Sequence, residues 1–367
     1  VKTPDGALYI GIMSGTSADG VDVVLVDLSG STPCQLGTRY HPFTPELRRR
    51  ILRLQSPMQG ELHESALVSI ELARAYAECA NALLREVGIG AGEVRAIGCH
   101  GQTVRHRPEA GYSVQLVNGA LLAELTDICV VCDLRSRDIA AGGQGAPLVP
   151  AFHDAVFADP GRHRVIANIG GIANITDLPR AGEVHGFDTG PGNVLLDAWA
   201  ERHLGTPHDE DGRWAKSGRV VPQLLQALLD HPFFARKPPK STGREEFNLE
   251  WLQSETAGAD RPADVQATLV ALTAVSIADA VRAHCPGATE LYVCGGGAHN
   301  SALMAALGRS LGNLPVHPTD QLGIPADWVE ASAFAWLARR ALLGESGNLP
   351  AVTGAKGPRV LGAIYPA

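Results

Sequence analysis

Apolar runs separated by glycine-rich polar turns recur along the chain, and their spacing predicts strands alternating with helices. Leu8-Tyr9-Ile10-Gly11-Ile12-Met13 reads as a short strand and residues 21–28 as a second, with Asp22 and Asp27 set into it. Between them Ser14-Gly15-Thr16-Ser17-Ala18-Asp19-Gly20 has the glycine and aspartate of a hairpin turn. A third strand is expected around 36–40, then helices over 45–54 and 65–87. In the longer helix Leu67, Ile70, Ala73, Ala77 and Leu84 fall near one face. A strand over 94–100 runs into His100-Gly101-Gln102-Thr103. Strands at 112–117 and 128–132 flank a short helix from Gly119.

Residues 133–147 are polar and Gly-rich and read as a long loop, the kind that is usually functional or a linker. The domain boundary is placed at its end, giving residues 1–148 and 149–367, with the last helix and tail expected to pack back on the first domain. The second half opens as the first did, with a strand at 165–169, the turn Gly170-Gly171 and a strand at 172–175. This echo hints at duplication. His185-Gly186-Phe187-Asp188-Thr189-Gly190-Pro191-Gly192-Asn193 reads as a glycine-rich turn opening a helix over 194–203. Asp188 there either caps that helix or is held beside an anion site at its N-terminus. Further on come a helix at 220–229, a Pro-rich polar segment at 237–244, and a long helix over 262–284. A strand at 290–294 ends in Gly295-Gly296-Gly297, and a last helix spans 325–343. Strands alternating with helices make the class α/β.

Composition narrows the classes. At 367 residues the chain is too long for one ordinary core, and 45% hydrophobic with 19% charged residues describes a folded globular protein. A net charge of −8 gives no basic excess for general nucleic-acid binding. Arg48-Arg49-Arg50 is read as a solvated helix face. No apolar stretch is expected to reach the length of a membrane span, and the N-terminus shows no signal pattern. Seven scattered cysteines fit a reducing compartment, and Cys129 and Cys132 read as core thiols of one strand rather than a redox pair.

Three Gly-rich turns carry the candidate chemistry: 15–20, 186–192 and 295–297. Backbone amides in such turns cradle phosphate oxygens, and carboxylates beside them hold Mg²⁺ or take a proton. None matches the dinucleotide fingerprint, and Lys240-Ser241-Thr242 lacks the upstream glycines of a P-loop.

In this order the turns have the layout of the sugar kinase–Hsp70–actin superfamily. Five long segments carry a closer likeness: Gly11 to Asp22, Cys99 to Val104, Ala140 to Leu148, Asn168 to Asn174 and Phe187 to Asn193. The chain closely resembles the anhydro-N-acetylmuramic acid kinase family along nearly its whole length, including Pro239 to Glu245 and Arg359 to Gly362. The resemblance implies a duplicated two-domain, ribonuclease H-like α/β fold with a cleft between the halves. It also implies a cytoplasmic, homodimeric enzyme of cell-wall recycling that uses ATP and Mg²⁺, with no nucleic-acid or membrane partner. The reaction implied takes 1,6-anhydro-N-acetylmuramic acid, water and ATP to N-acetylmuramic acid 6-phosphate and ADP.

Site roles follow from the same resemblance. Asp188 matches the base that activates water, and Glu330 a second acidic position near the sugar. Gly15, Thr16, Ser17, Ala18, Asp19, Gly20, Val21 and Asp22 match the ATP segment, with Asp19 or Asp22 reaching Mg²⁺. Gly170, Gly171, Asn174 and Gly190 are expected on the phosphates from the other half, and Gly295, Gly296 and Gly297 against the adenosine. Ser14, His100 and Gln102 are expected at the sugar. Of Arg135 and Arg137, Arg137 is chosen for the lactyl carboxylate, since a guanidinium matches it bidentately. The segment Gln115 to Gly119 departs from the family pattern, which shows a Gly-Asp or Gly-Asn pair there, and so assigns no role to Asn118. The alternatives are an ATP-dependent kinase of another amino sugar and a non-catalytic nucleotide switch of the same fold.

Overall fold

The computed structural model describes residues 7–15, 17–30, 32–256 and 261–367. The chain divides into two compact units: residues up to Phe152 together with Trp328–Ala367, and His153–Asp327.

The first unit is built on a seven-stranded sheet. Its strands are β1 (Leu8–Ser14), β2 (Gly20–Asp27), β3 (Cys34–Pro42), β4 (Val94–Arg107), β5 (Tyr112–Leu116), β6 (Val130–Cys132) and β12 (Ala363–Tyr365). The order is β12-β6-β4-β1-β2-β3, with β5 turned back on β4. β1, β2 and β3 form an antiparallel meander, while β4 lies parallel to β1 and β6 parallel to β4. The second unit has five strands: β7 (Arg164–Ile169), β8 (Ile172–Leu178), β9 (His185–Pro191), β10 (Glu290–Cys294) and β11 (Val316–Pro318). Their order is β11-β10-β7-β8-β9, with β7-β8-β9 antiparallel and β10 and β11 parallel to β7. Five strands of the first sheet, β6-β4-β1-β2-β3, therefore repeat the order and direction of β11-β10-β7-β8-β9, and β5 and β12 are additions. The duplicated ribonuclease H-like α/β fold expected from the sequence is the one the chain adopts.

Both cores follow from apolar strands buried under amphipathic helices. In the first unit Ile10, Ile12, Val23 and Leu25 meet Leu72, Tyr76, Ala80 and Leu83 of the helix Glu61–Val87. In the second, Val165, Ala167, Leu291 and Val293 share a core with Leu269, Leu272 and Ile277 of the helix Pro262–His284. That helix is long and apolar enough to cross a membrane, which corrects the expectation that no stretch reaches such a length. Its apolar window is 72% buried, so it is a core helix of its unit.

Several local expectations change. β4 does not stop at His100 but runs on to Arg107, because β5 pairs with its second half. The 133–147 segment contains a short helix, Ser136–Ala140. Asn118 is a helix N-cap whose Oδ1 accepts from Leu121 N at 2.9 Å. Asp188 lies on strand β9 rather than in a turn, and the cap of the next helix is Asn193.

One packing constraint bears on the site. The helix Val329–Leu342 crosses β1 and β4 at two glycines. A Cβ on Gly11 would overlap the carbonyl of Ala331, and one on Gly98 the carbonyl of Phe334. The helix backbone thus sits directly on the sheet, and this seat fixes Glu330 in its first turn. Gly11→Ala or Gly98→Ala is expected to destabilise the chain by about 1–3 kcal/mol or more through overpacking. The reading is a lower urea midpoint at unchanged slope; an unchanged midpoint would contradict the seating.

Candidate active site

In the first unit the β1–β2 turn offers an open backbone. A Cβ placed on Gly15 would find nothing nearer than Ser17 Oγ at 3.8 Å, so a ligand can approach the main chain there. Ala18 N donates to Gly15 O at 3.1 Å, closing a turn in which Ala18 takes a left-handed φ of 52°. Ser17 Oγ donates to Asp19 Oδ1 at 2.8 Å, and Asp19 is exposed. Thr16 lies outside the described residues. Val21 is buried in the core, its side chain directed away from any ligand. Asp22 is opposite Tyr40 on the neighbouring strand. The Tyr40 phenol is pushed up to about 12, first by burial and then by the charges of Asp19 and Asp22. Two carboxylates therefore act on one spot at this end of the hairpin. That donor set suits Mg²⁺, which takes one or two carboxylates and completes its shell with phosphate and water. Among the described residues no cluster of three or more His, Cys, Asp or Glu side chains forms a ready metal cage.

Behind the turn lies a buried polar network. Ser14 Oγ donates to Gln102 Oε1, and Gln102 Nε2 donates to Gly15 O at 2.9 Å. His100 Nδ1 lies 3.3 Å from Ser14 O, and its Nε2 lies 2.7 Å from Arg135 Nη2. A guanidinium only donates and a carbonyl only accepts, so the ring is neutral with its proton on Nδ1. Burial and then the adjacent Arg135 charge drive the His100 pKa down to about 3. Both ring nitrogens of His100 and both ends of the Gln102 amide are thus engaged by protein atoms. Arg135, passed over in favour of Arg137, also donates to Gly145 O at 2.6 Å. Arg137 is exposed on the helix Ser136–Ala140.

Asp138 was not foreseen. Fully buried, it accepts from Gly145 N at 2.8 Å, Asn348 Nδ2 at 2.6 Å and Thr353 Oγ1 at 2.7 Å. It ties the glycine-rich segment to the C-terminal region of the same unit. Nothing in the sequence marked it, since two of its partners lie more than 200 positions away.

In the second unit the ends of β7 and β10 draw three turns together. Gly192 N and Val194 N donate to Gly171 O at 2.9 and 3.0 Å, and Asn193 N donates to Gly170 O at 2.8 Å. Gly192, the cap residue Asn193 and the first helical residue Val194 therefore give their amides to the β7–β8 turn. The outer face of Gly170 stays open: a Cβ there would find Ile172 O as its nearest neighbour, at 3.8 Å. Gly295, at a φ of 78°, has Asn168 Oδ1 at 2.6 Å from where a Cβ would stand, so only glycine fits. Gly297 abuts Ile169, and Gly296 lies near Asn193 Nδ2. Asn168 Oδ1 is buried and has no hydrogen-bond partner among the described residues.

Asp188 faces Asn174 across the β8–β9 ladder. Its other flank is covered by the Pro-rich segment, which the sequence showed only as a polar linker. Asp188 N donates to Lys240 O at 3.1 Å, and Thr242 N donates to Asp188 Oδ2 at 3.0 Å. Lys240 Nζ lies 4.4 Å from the centre of the Phe233 ring and donates to Phe233 O at 3.3 Å. Burial lowers the Lys240 pKa and the Arg236 charge adds to this, while Asp188 opposes both. Gly190 packs against Phe234. Asp188 and Glu330 belong to different units.

A model of the family described as anhydro-N-acetylmuramic acid kinase matches residues 7–367. A protein of that name from Nitrosospira multiformis is 58% identical over 98% of this chain and 99% of its own length. Another from Thiobacillus denitrificans is 58% identical over 100% of this chain and 99% of its own. Among solved structures, the activator of 2-hydroxyisocaproyl-CoA dehydratase from Clostridium difficile with bound ADPNP aligns over 89% of this chain and 92% of its own, at 12% identity and a TM-score of 0.47.

The neutral burial of His100 has a pH signature. Its folded pKa is depressed, so its contribution is complete above the unfolded value near 6.5 and is lost as pH falls towards about 3. Across that window stability should drop by about 1.4 kcal/mol per pH unit for this one proton. Urea unfolding between pH 7 and 5 should show the slope, and His100→Asn should flatten it by that amount. An identical slope in the variant would contradict the assignment.

Proposed function

This chain belongs to the anhydro-N-acetylmuramic acid kinase family, and from that premise we propose how its residues divide the work. It is an ATP-dependent kinase of peptidoglycan recycling that opens 1,6-anhydro-N-acetylmuramic acid and phosphorylates O6. Asp188 is the base. It takes one proton from water as the water oxygen bonds to C1, and the second proton stays on the new C1 hydroxyl. The C1–O6 bond breaks towards O6, which attacks the γ-phosphorus and releases ADP. One carboxylate is enough because the phosphoryl group, rather than an acid, captures the leaving oxygen.

The observation that carries this role is the Thr242 N–H on Asp188 Oδ2. It holds one carboxylate oxygen in a fixed direction and leaves the base oriented by backbone, as a positioned general base requires. Glu330, set in place by the glycine-seated helix, orients sugar or water. The amides of Gly15 to Ser17 hold the β- and γ-phosphates, a reading supported by the open backbone at Gly15. Gly170, Gly171 and Asn174 are the phosphate grip of the second unit, and Gly295 to Gly297 lie along the adenosine. The unpaired Asn168 Oδ1 beside Gly295 supports a ligand donor there. Asp19 and Asp22 would hold Mg²⁺, which neutralises charge on the transferring phosphates. Arg137, exposed while Arg135 is engaged with His100 and Gly145, takes the lactyl carboxylate.

A cytoplasmic location is supported by the seven free thiols. A homodimer is the assembly we propose on family grounds.

The proposed bond cleavage is read directly by isotope. Turnover in ¹⁸O-water should place one labelled oxygen at C1 of the 6-phosphorylated product and none in the phosphate ester linkage. A product unlabelled at C1 would rule out water attack on the acetal.

A further inference from the structure

We propose that Ser14, His100, Gln102 and Arg135 are positioning residues that couple nucleotide binding to sugar binding, rather than ligands of the sugar. The inference rests on the reading above, in which the β1–β2 turn holds phosphates and the 133–147 segment faces the sugar.

The chain of contacts is continuous. Arg135 grips Gly145 O at 2.6 Å with one guanidinium nitrogen and His100 Nε2 at 2.7 Å with another. His100 passes the contact to Ser14 O at 3.3 Å, and Gln102 holds the next carbonyl, Gly15 O, at 2.9 Å while accepting from Ser14 Oγ. The far end is equally fixed, since Gly145 N donates to the buried Asp138 carboxylate at 2.8 Å. Gly145 is thus held through both its carbonyl and its amide, and the entry to the phosphate turn through two successive carbonyls.

Three features exclude direct sugar contact by His100 and Gln102. His100 is 5% exposed and Gln102 is fully buried. Their side-chain nitrogens and oxygen already have protein partners. The ring also packs on Phe334 with centroids 4.8 Å apart, so it cannot swing out without opening the core. What such a network can do is transmit position. Ordering of the glycine-rich segment by one ligand fixes Gly145, and through Arg135 and His100 fixes the carbonyls that set the phosphate turn. A second ligand then meets a site already ordered, which is positive coupling. Transfer to O6 requires acceptor and γ-phosphate in near-contact alignment, so a rigid tie between the two grips has a direct use.

The test is calorimetric titration of the full chain with the non-hydrolysable analogue adenylyl imidodiphosphate and Mg²⁺, without and with saturating 1,6-anhydro-N-acetylmuramic acid. The sugar should tighten analogue binding at least about fivefold in the wild type. In Arg135→Met that factor should fall below about twofold, while each ligand alone binds within about threefold of wild type. His100→Asn keeps a donor for Ser14 O but has no acceptor reaching Arg135, and it should lose the coupling to the same extent. The double variant should be no worse than either single one. Wild-type coupling in a folded Arg135→Met protein would overturn the proposal, as would a wild type that binds both ligands independently. A wild type that fails to bind one of the two ligands would instead overturn the functional reading, and the proposal with it. Should the variants not fold, amide hydrogen exchange of the wild type decides: sugar alone must slow exchange at residues 17–20. Unchanged exchange there refutes the coupling.

Discussion

The hydrogen bond from the Thr242 amide to the Asp188 carboxylate, 3.0 Å long, is the contact on which the proposed chemistry rests. β9 is the last strand of its sheet, so one side of its backbone has no strand partner. The segment around Lys240 covers that side at Asp188, with Lys240 O accepting from Asp188 N at 3.1 Å. An exposed strand edge is a liability that proteins cover, and here the cover also supplies the amide that orients the Asp188 carboxylate. The segment is anchored by its flanks: Phe233 and Phe247 are fully buried and meet edge to face at 5.5 Å. A second tie, Thr242 Oγ1 to Glu246 Oε2 at 2.7 Å, holds the turn beyond. Truncating either phenylalanine would therefore be felt at Asp188 without any change to the carboxylate itself.

Duplication explains why the functional groups divide as they do. Each unit starts with an antiparallel meander whose first turn is glycine-bearing, and each extends by parallel strands. In the first unit that turn carries one acidic residue, Asp19, and Asp22 lies just beyond it on β2. In the second it carries none, and its carbonyls accept from the amides that open the helix Val194–Leu204. The same backbone plan thus carries different side chains and different hydrogen bonds in the two units. The last long helix, Val329–Leu342, belongs to the first unit although it follows the second unit in sequence, and the glycines of β1 and β4 are what allow it to lie there.

Much of this was legible in the chain. Alternation and turn residues located both hairpins, the long helices and the β10 strand, because those patterns are local. Asp188 stands on a strand where its glycine- and proline-rich surroundings look like a turn, because only pairing with β8 makes them a strand. His100 and Gln102 look like strand-end residues in the sequence because β5, which pairs with β4 beyond them, is separated by its own turn. Thr242 and Asp138 left no signal, since one acts through its backbone and the other through partners far along the chain. Arg135 and Arg137 could not be distinguished by type; burial separates them, and burial is a property of the fold.

The central claim is that Asp188 removes the proton from water. The most direct measurement is kcat of Asp188→Asn, taken with calorimetric binding of ATP analogue and sugar. The side chain keeps its shape and an oxygen for the Thr242 amide but loses its basicity. The account predicts a fall in kcat of roughly 10²–10⁴-fold or more with both affinities nearly unchanged. Turnover close to wild type in a variant that binds both ligands would contradict it.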